Sequence, residues 1–245
     1  MDKRKNFING IWFDSDGTLV DSLPAHILFL NDLNEEYKLG LKLPSQTDRV
    51  SMEKMCETPM DAFFLRAGFL KEDVNKFLEI YKTKFCTDSK YVSKPFEGIE
   101  ELISYLKRSG VSPLAVISSN YETNLRRDLG PLFNCFDKVV DKNYLDRFCK
   151  GSKGIALNTE LLMLDNPWPY SYFYIGDTES DFRAAQFSGV NFIGVGYGWQ
   201  IKKKGEEKFP VAETPKKLMN LIKQTNELGY SRCEQSHQYR IPHTS

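Results

Sequence analysis

The sequence predicts an α/β protein, a parallel sheet covered by helices, with an all-helical domain inserted near its start. Three observations carry this. An apolar, β-prone run from Phe7 to Asp14 opens the fold; helical periodicity alone fills Ser22 to Ser93; strand-like and helix-like segments alternate after Lys94.

Taken in order, Phe7, Ile8, Ile11, Trp12 and Phe13 form a strand that stops at the turn-forming Asp14-Ser15-Asp16-Gly17. Pro24 to Tyr37 carries Ile27, Leu30, Leu33 and Tyr37 at helical spacing. Glu53 to Ala67 is helical with a break near Thr58-Pro59, because the residue before a proline avoids the α region. Glu72 to Phe85 sets Val74, Phe77, Leu78, Tyr81 and Phe85 on one stripe. Beyond Lys94, Ile99, Leu102, Ile103 and Leu106 define a helix that Ser109-Gly110 ends, and Leu114 to Ile117 is a strand running into Ser118-Ser119-Asn120. Glu122 to Leu129 is a helix, Lys138 to Asp141 a strand, Lys153 to Leu164 a helix and Tyr172 to Ile175 a strand. Ser180 to Ser188 is a helix closed by Gly189, and Asn191 to Val195 is the last clear strand. The organisation that follows is a core of residues 1–21 and 94–226, a helical insert of 22–93, and a polar, aperiodic tail of 227–245 expected to be poorly ordered.

Composition narrows the function. A chain of 245 residues can bury a sizeable core, and 41% hydrophobic with 13% aromatic residues excludes a disordered or low-complexity protein. Lys+Arg 33 against Asp+Glu 33 leaves a formal charge of +0, which argues against binding nucleic acid or a membrane surface through bulk charge. The five cysteines include no Cys-x-x-Cys pair and the three histidines are scattered, so neither a disulfide framework nor a zinc site is indicated. No apolar run approaches the ~20 residues of a membrane span, and the apolar stretch before Asp14 is too short for a secretory signal. The expectation is a soluble, reduced, cytoplasmic protein; nothing in the sequence sets its oligomeric state.

In open α/β sheets, ligands bind beyond the carboxyl ends of the strands. There the sequence places Asp14 and Asp16 after the first strand, Ser118-Ser119-Asn120 after the second, and Gly176-Asp177-Thr178-Glu179-Ser180-Asp181 after Ile175, with Lys153 opening the preceding helix. Aspartates without His or Cys are hard oxygen donors, suited to Mg²⁺ more than to zinc. The lysine and the serine become useful if a dianionic phosphate joins the metal. An aspartate can also act as a nucleophile toward phosphorus.

Asp14-Ser15-Asp16-Gly17-Thr18-Leu19-Val20-Asp21-Ser22, Ser118, Lys153, and Gly176-Asp177-x-x-x-Asp181 together resemble, in order and spacing, the four motifs of the haloacid dehalogenase superfamily. The similarity runs from about Phe7 to Ile222, and a helical insert directly after the first motif resembles the cap of its phosphoglycolate phosphatase-like branch. The resemblance implies a Rossmann-like core and a Mg²⁺-dependent phosphatase acting on a small phosphorylated metabolite. Asp14 would be the nucleophile and Asp16 the general acid and base. Ser15, Ser118, Ser119 and Lys153 would hold phosphate. Asp14, Asp177, the main chain of Asp16 and, directly or through water or Lys153, Asp181 would serve the metal. Two positions depart from the pattern. The third motif reads Lys150-Gly151-Ser152-Lys153-Gly154 instead of Lys-Pro, and the cap has Glu57-Thr58-Pro59 where Gly-x-Pro is usual. Lys153 is chosen over Lys150 for its distance from Gly176.

Blander readings stand beside these. A lone Asp-x-Asp-Gly is a turn, Ser118 a helix N-cap, and Asp181 a first-turn acid favoured by the helix dipole. Arg49 and Lys202-Lys203-Lys204 read as solvated charges, His26 as a cap-surface residue, and Trp12, Phe63 and Phe64 as core. Gly194-Val195-Gly196-Tyr197-Gly198 lacks the Gly-x-Gly-x-x-Gly spacing and does not follow the first strand, so it is not a dinucleotide loop. A phosphosugar mutase keeps both acids of the first motif, and a non-catalytic phosphate-binding protein keeps the fold; these are the alternatives to the phosphatase.

Overall fold

A computed structural model of the chain describes residues 7–57, 59–164, 171–202 and 208–237. Thr58 of the proline break, Lys203 and Lys204 of the charge run, and residues 238–245 of the tail lie outside the described residues.

The central sheet has six strands: β1 (Gly10–Phe13), β4 (Leu114–Ile117), β5 (Lys138–Val140), β6 (Tyr172–Gly176), β7 (Asn191–Val195) and β8 (Val211–Ala212). Every pairing is parallel, in the order β5-β4-β1-β6-β7-β8. From β1 the chain thus fills one side of the sheet with β4 and β5, then crosses to the other with β6 to β8. That reversal makes the end of β1 the crevice where such sheets bind ligands, and Asp14 is its next residue. The strands are shorter than the apolar runs in the sequence, and β8 adds an edge beyond Val195, the last strand expected.

Residues buried on both faces explain the near-continuous apolar strands. Ile11 and Phe13, Leu114 and Val116, and Phe173 and Ile175 point into one cluster with Ile99, Leu102, Ile103 and Leu106 of α5 (Ile99–Arg108) and Leu218, Met219 and Ile222 of α10 (Pro215–His237). The alternate residues Trp12, Ala115, Ile117, Tyr172 and Tyr174 point into a second cluster with Ala156, Leu157 and Leu161 of α8 (Lys153–Leu162) and Ala184 and Ala185 of α9 (Glu179–Ser188). Two further helices, α6 (Glu122–Leu129) and α7 (Lys142–Phe148), flank β5. α10 continues through Glu227 to His237, into the stretch expected to be poorly ordered. Extending an established helix adds one hydrogen bond per residue fixed, so a polar sequence can follow an anchored amphipathic one.

Between Asp21 and Lys94 the chain is helical: α1 (Leu23–Glu36), α2 (Arg49–Met55), α3 (Met60–Arg66) and α4 (Val74–Ile80), which runs on into a π turn, Tyr81–Phe85. Pro59 caps α3, which is why the periodic run breaks there. These helices bury their own cluster, including Ile27, Phe29, Leu33, Phe63, Phe64, Phe77 and Phe85. The chain enters and leaves the insert through a two-stranded antiparallel pair, β2 (Val20–Asp21) with β3 (Lys94–Pro95).

Candidate active site

Asp14 follows β1 and is buried, with its amide donating to the Ile175 carbonyl of β6 at 2.8 Å. Lys153, the first residue of α8, reaches across so that its Nζ lies 2.8 Å from Asp14 Oδ1 and 2.8 Å from Asp181 Oδ1. The Ser152 hydroxyl accepts from the Ile155 amide and so starts α8 where the lysine points inward. Lys150, the other candidate, is exposed with φ of 53°. Burial works against the Lys153 ammonium, but Asp14 and Asp181 hold its pKa well above the usual lysine value.

Asp177 is completely buried at the end of β6. Its Oδ2 accepts from the Trp199 amide at 2.7 Å, and its Oδ1 from the Thr18 hydroxyl at 3.3 Å. Two glycines make room for it. At Gly17, where φ is 77°, a Cβ would stand 2.3 Å from Asp177 Oδ2; at Gly198 it would stand 2.3 Å from Asp177 Cβ. Asp181 combines two of the roles weighed from sequence. Its Oδ2 accepts from the Thr178 amide and hydroxyl in a capping box that starts α9, while its Oδ1 takes Lys153 and the Tyr174 hydroxyl.

Ligand oxygens of Asp14, Asp177 and Asp181 all lie within 4.8 Å of one another. Burial first, with Lys153 opposing and Asp181 adding, pushes the Asp14 carboxyl up to about 7. Burial, then the charges of Asp181 and Asp14, raises Asp177 well above the usual carboxylate range. One ammonium does not balance three crowded carboxylates, and a hard divalent cation relieves that repulsion; the all-oxygen donor set fits Mg²⁺.

Asp16 stands apart from that cluster. Its Oδ2 accepts from the Asn120 side-chain amide at 3.0 Å. Asn120 is held in turn, its Oδ1 accepting from Asn124 Nδ2 at 2.7 Å and its amide donating to the Ser118 hydroxyl at 3.1 Å. Burial raises the Asp16 pKa, while Ser22 and Asn120 draw it down; the Ser22 hydroxyl makes no in-line hydrogen bond. Ser118 is buried at the end of β4, Ser15 is buried beside Asp14, and Ser119 is exposed at the same edge.

The structure therefore brings Asp14, Asp177, Asp181 and Lys153 into one contact group, with Asp16 and Ser118 joined through Asn120. Sequence reasoning assigns no role to Asn120, Thr18, Tyr174, Thr178 or Trp199. Thr178 was readable as a capping box with Asp181. Trp199 had no local signal, because it acts on Asp177 through its backbone. Three expectations are corrected. Lys202 is not simply solvated: it pairs with Glu53 at 3.0 Å and donates to the Gly196 and Gly198 carbonyls. His26 is buried, not on the cap surface, stacked on Phe85 at 4.6 Å. Arg49 is half-buried and paired rather than solvated, bonded to Asp21, Glu53 and the Tyr197 carbonyl.

A haloacid dehalogenase-like hydrolase family profile matches residues 11–195. The chain belongs to this family. A phosphoglycolate phosphatase of Caulobacter vibrioides is 26% identical over 78% of this chain and 81% of its own length. Tyrosine-protein kinase PtkA of Mycobacterium tuberculosis is 29% identical over 76% of this chain and 62% of its own, and its structure superposes with a TM-score of 0.71 at 24% identity, covering 88% and 98% of the two chains. A haloacid dehalogenase-like hydrolase from Streptococcus pneumoniae gives 0.68 at 20% identity over 88% and 98%. Thus this chain is a hydrolase of the phosphatase-like branch with a Rossmann-like core, and among the described residues no helix is long and apolar enough to cross a membrane.

Proposed function

We propose that this hydrolase is a Mg²⁺-dependent phosphatase that releases phosphate from a small phosphorylated metabolite through an aspartyl-phosphate on Asp14. The observation that carries the reading is the Lys153 bridge between Asp14 and Asp181, with Asp177 in the same cluster. The phosphoglycolate phosphatases among its relatives support it. Asp14, Asp177, the Asp16 carbonyl and Asp181 would hold the metal, which when bound supplies charge for the transferring phosphoryl oxygens. Asp14 attacks phosphorus, forming a bond to its carboxylate oxygen as the bond to the leaving alcohol breaks. Asp16 gives that alkoxide its proton, then takes one from the water that attacks phosphorus and frees Asp14. Lys153 offsets charge on nucleophile and phosphate. The Ser118 hydroxyl, already accepting from Asn120, keeps its own proton to donate to a phosphate oxygen; Ser15 and Ser119 add contacts.

The helical insert of 22–93 serves as a cap over this edge, and the free thiols of Cys56, Cys86, Cys135 and Cys149 suit a reducing, cytoplasmic setting. The test is phosphate release from a panel of small phosphoesters, with Mg²⁺ and with chelator, for the wild type and Asp14→Asn. Mg²⁺-dependent release that the substitution abolishes supports the reading; release that survives it contradicts the nucleophile. The similarity to a tyrosine-protein kinase keeps transfer to an acceptor as the second reading. Phosphoryl groups recovered on an added sugar or tyrosine, instead of in water, would favour it.

A further inference from the structure

A single neighbour sets where the Asp16 carboxylate points. Among the described residues Asn120 is the one in-line donor to that side chain: its Nδ2 lies 3.0 Å from Asp16 Oδ2, and Asp16 Oδ1 makes no hydrogen bond. The other end of the Asn120 amide decides which of its atoms faces Asp16. Asn120 Oδ1 accepts from the Tyr121 main-chain amide at 2.8 Å and from Asn124 Nδ2 at 2.7 Å. A main-chain N–H can only donate, so the side-chain amide cannot be flipped and Nδ2 is left for the carboxylate.

The backbone of Asn120 is held as firmly. Its amide donates to the Ser118 hydroxyl at 3.1 Å, and its carbonyl accepts from the Lys142 amide at the start of α7 at 2.9 Å. Asn124, one turn along α6, braces the side chain from behind and is fully buried, with its Nδ2 also 3.3 Å from Cys86 Sγ of the insert. Asn120 is thus tied at once to the end of β4, the start of α6, the start of α7 and the loop after β1. So many bonds leave it one orientation, which makes it a fixed post for whatever it holds. A cap for α6 would need only Oδ1 on the Tyr121 amide. The Nδ2 bond to Asp16, 104 residues away in sequence, serves the carboxylate.

We propose that Asn120, braced by Asn124, is a positioning residue for Asp16: it grips the carboxyl by Oδ2 and so fixes the direction in which the acid and base of the reaction works. A general acid has to lie within hydrogen-bond reach of the atom it protonates, and a displacement of about 1 Å can cost on the order of 10²-fold. With no bond on Oδ1, the Asp16 side chain has no second restraint of this kind. An amide donor asks only that Oδ2 accept, which it does whether or not the other oxygen carries a proton, so the grip persists through both steps. The proposal rests on the phosphatase reading of the same site, in which Asp16 moves the proton.

The experiment measures kcat/KM with Mg²⁺ for acetyl phosphate and for the best alkyl ester among phosphoglycolate, glycerol phosphate and a hexose phosphate. Asn120→Ala keeps the main-chain bonds to Ser118 and Lys142 but loses the grip on Asp16. It should lower kcat/KM on the alkyl ester about 10–100-fold and leave acetyl phosphate within about threefold of the wild type. Added to Asp16→Asn it should cost nothing further on the alkyl ester, because a residue that acts through Asp16 has nothing left to position. Asn124→Ala, which removes only the brace, should show the same selectivity at lesser size and stands in if Asn120→Ala does not fold. Equal losses on both substrates, no loss on the alkyl ester, or a further loss in the double variant overturns the proposal while turnover by the wild type leaves the phosphatase reading standing. Wild-type turnover of acetyl phosphate alone would also overturn it, since no alkoxide would then need the acid that Asn120 holds. No turnover of any of the four removes the phosphatase reading and this proposal with it.

Discussion

The two halves of the site meet at Asp16 and follow opposite rules. On the sheet side, Asp14, Asp177 and Asp181 are each fixed by bonds from Lys153, Trp199, Thr18, Tyr174 or Thr178. On the facing side, aromatic rings of the insert pack closely, while His26 of α1, Trp199 of the loop after β7 and Asn124 of α6 keep polar atoms without partners. Groups that must hold reacting atoms in place are pinned to the ends of neighbouring strands. Groups at the boundary of insert and core keep polar atoms unused among close-packed rings. The difference separates the charged cluster from the packed aromatic boundary beside it, and each half can be broken without the other.

The largest effect belongs to the sheet side. Asp14→Asn should lower phosphate release by roughly 10³-fold or more for every ester, because no other carboxylate occupies its place. Asp16→Asn should lower kcat/KM, which reports phosphorylation of Asp14, about 10²–10⁴-fold on alkyl phosphates and far less on acetyl phosphate, whose leaving group needs no proton. Equal losses on both would remove the general-acid role from Asp16. Gly198→Ala, which drives a Cβ into Asp177, should weaken the apparent Mg²⁺ affinity by about 10–100-fold, read by titrating Mg²⁺ in the release assay. An unchanged titration would mean that Asp177 is not a ligand.

The smallest effect tests the cap alone. Burial, with the charge of Arg127 adding to it, brings the His26 pKa down to about 3 from its ordinary 6.5. Below about 6.5 the unfolded chain takes up a proton that the folded chain refuses, so stability is present above that pH and lost as pH falls toward 3. The slope is on the order of 1 kcal/mol per pH unit. Denaturant unfolding of His26→Phe should show a flatter acid slope than the wild type; parallel slopes would place His26 in a solvated setting.

The same division decides what was legible in the sequence. Asp14, Asp177, Asp181 and Lys153 follow apolar strands or open helices at fixed spacings, so period and turn signals located them. The unbroken apolar run Ile11-Trp12-Phe13 likewise reads as a buried strand. Strands of two residues such as β2, β3 and β8 have no period of their own; they exist because a partner pairs with them. His26 carries a local signal of burial, since with Leu30 and Leu33 it lies on the buried stripe of α1. Arg49 reads as solvated because its partners Asp21 and Tyr197 are distant in sequence, and only the fold brings them together.

The central claim is that Asp14 itself carries the phosphoryl group. It is tested most directly by acid-quenching Asp16→Asn during turnover of acetyl phosphate and sequencing its peptides by mass spectrometry. Impaired activation of water should let the intermediate accumulate, so the account predicts a phosphoryl group on the peptide containing Asp14. Phosphate released while that peptide stays unmodified would contradict it and point to direct attack by water.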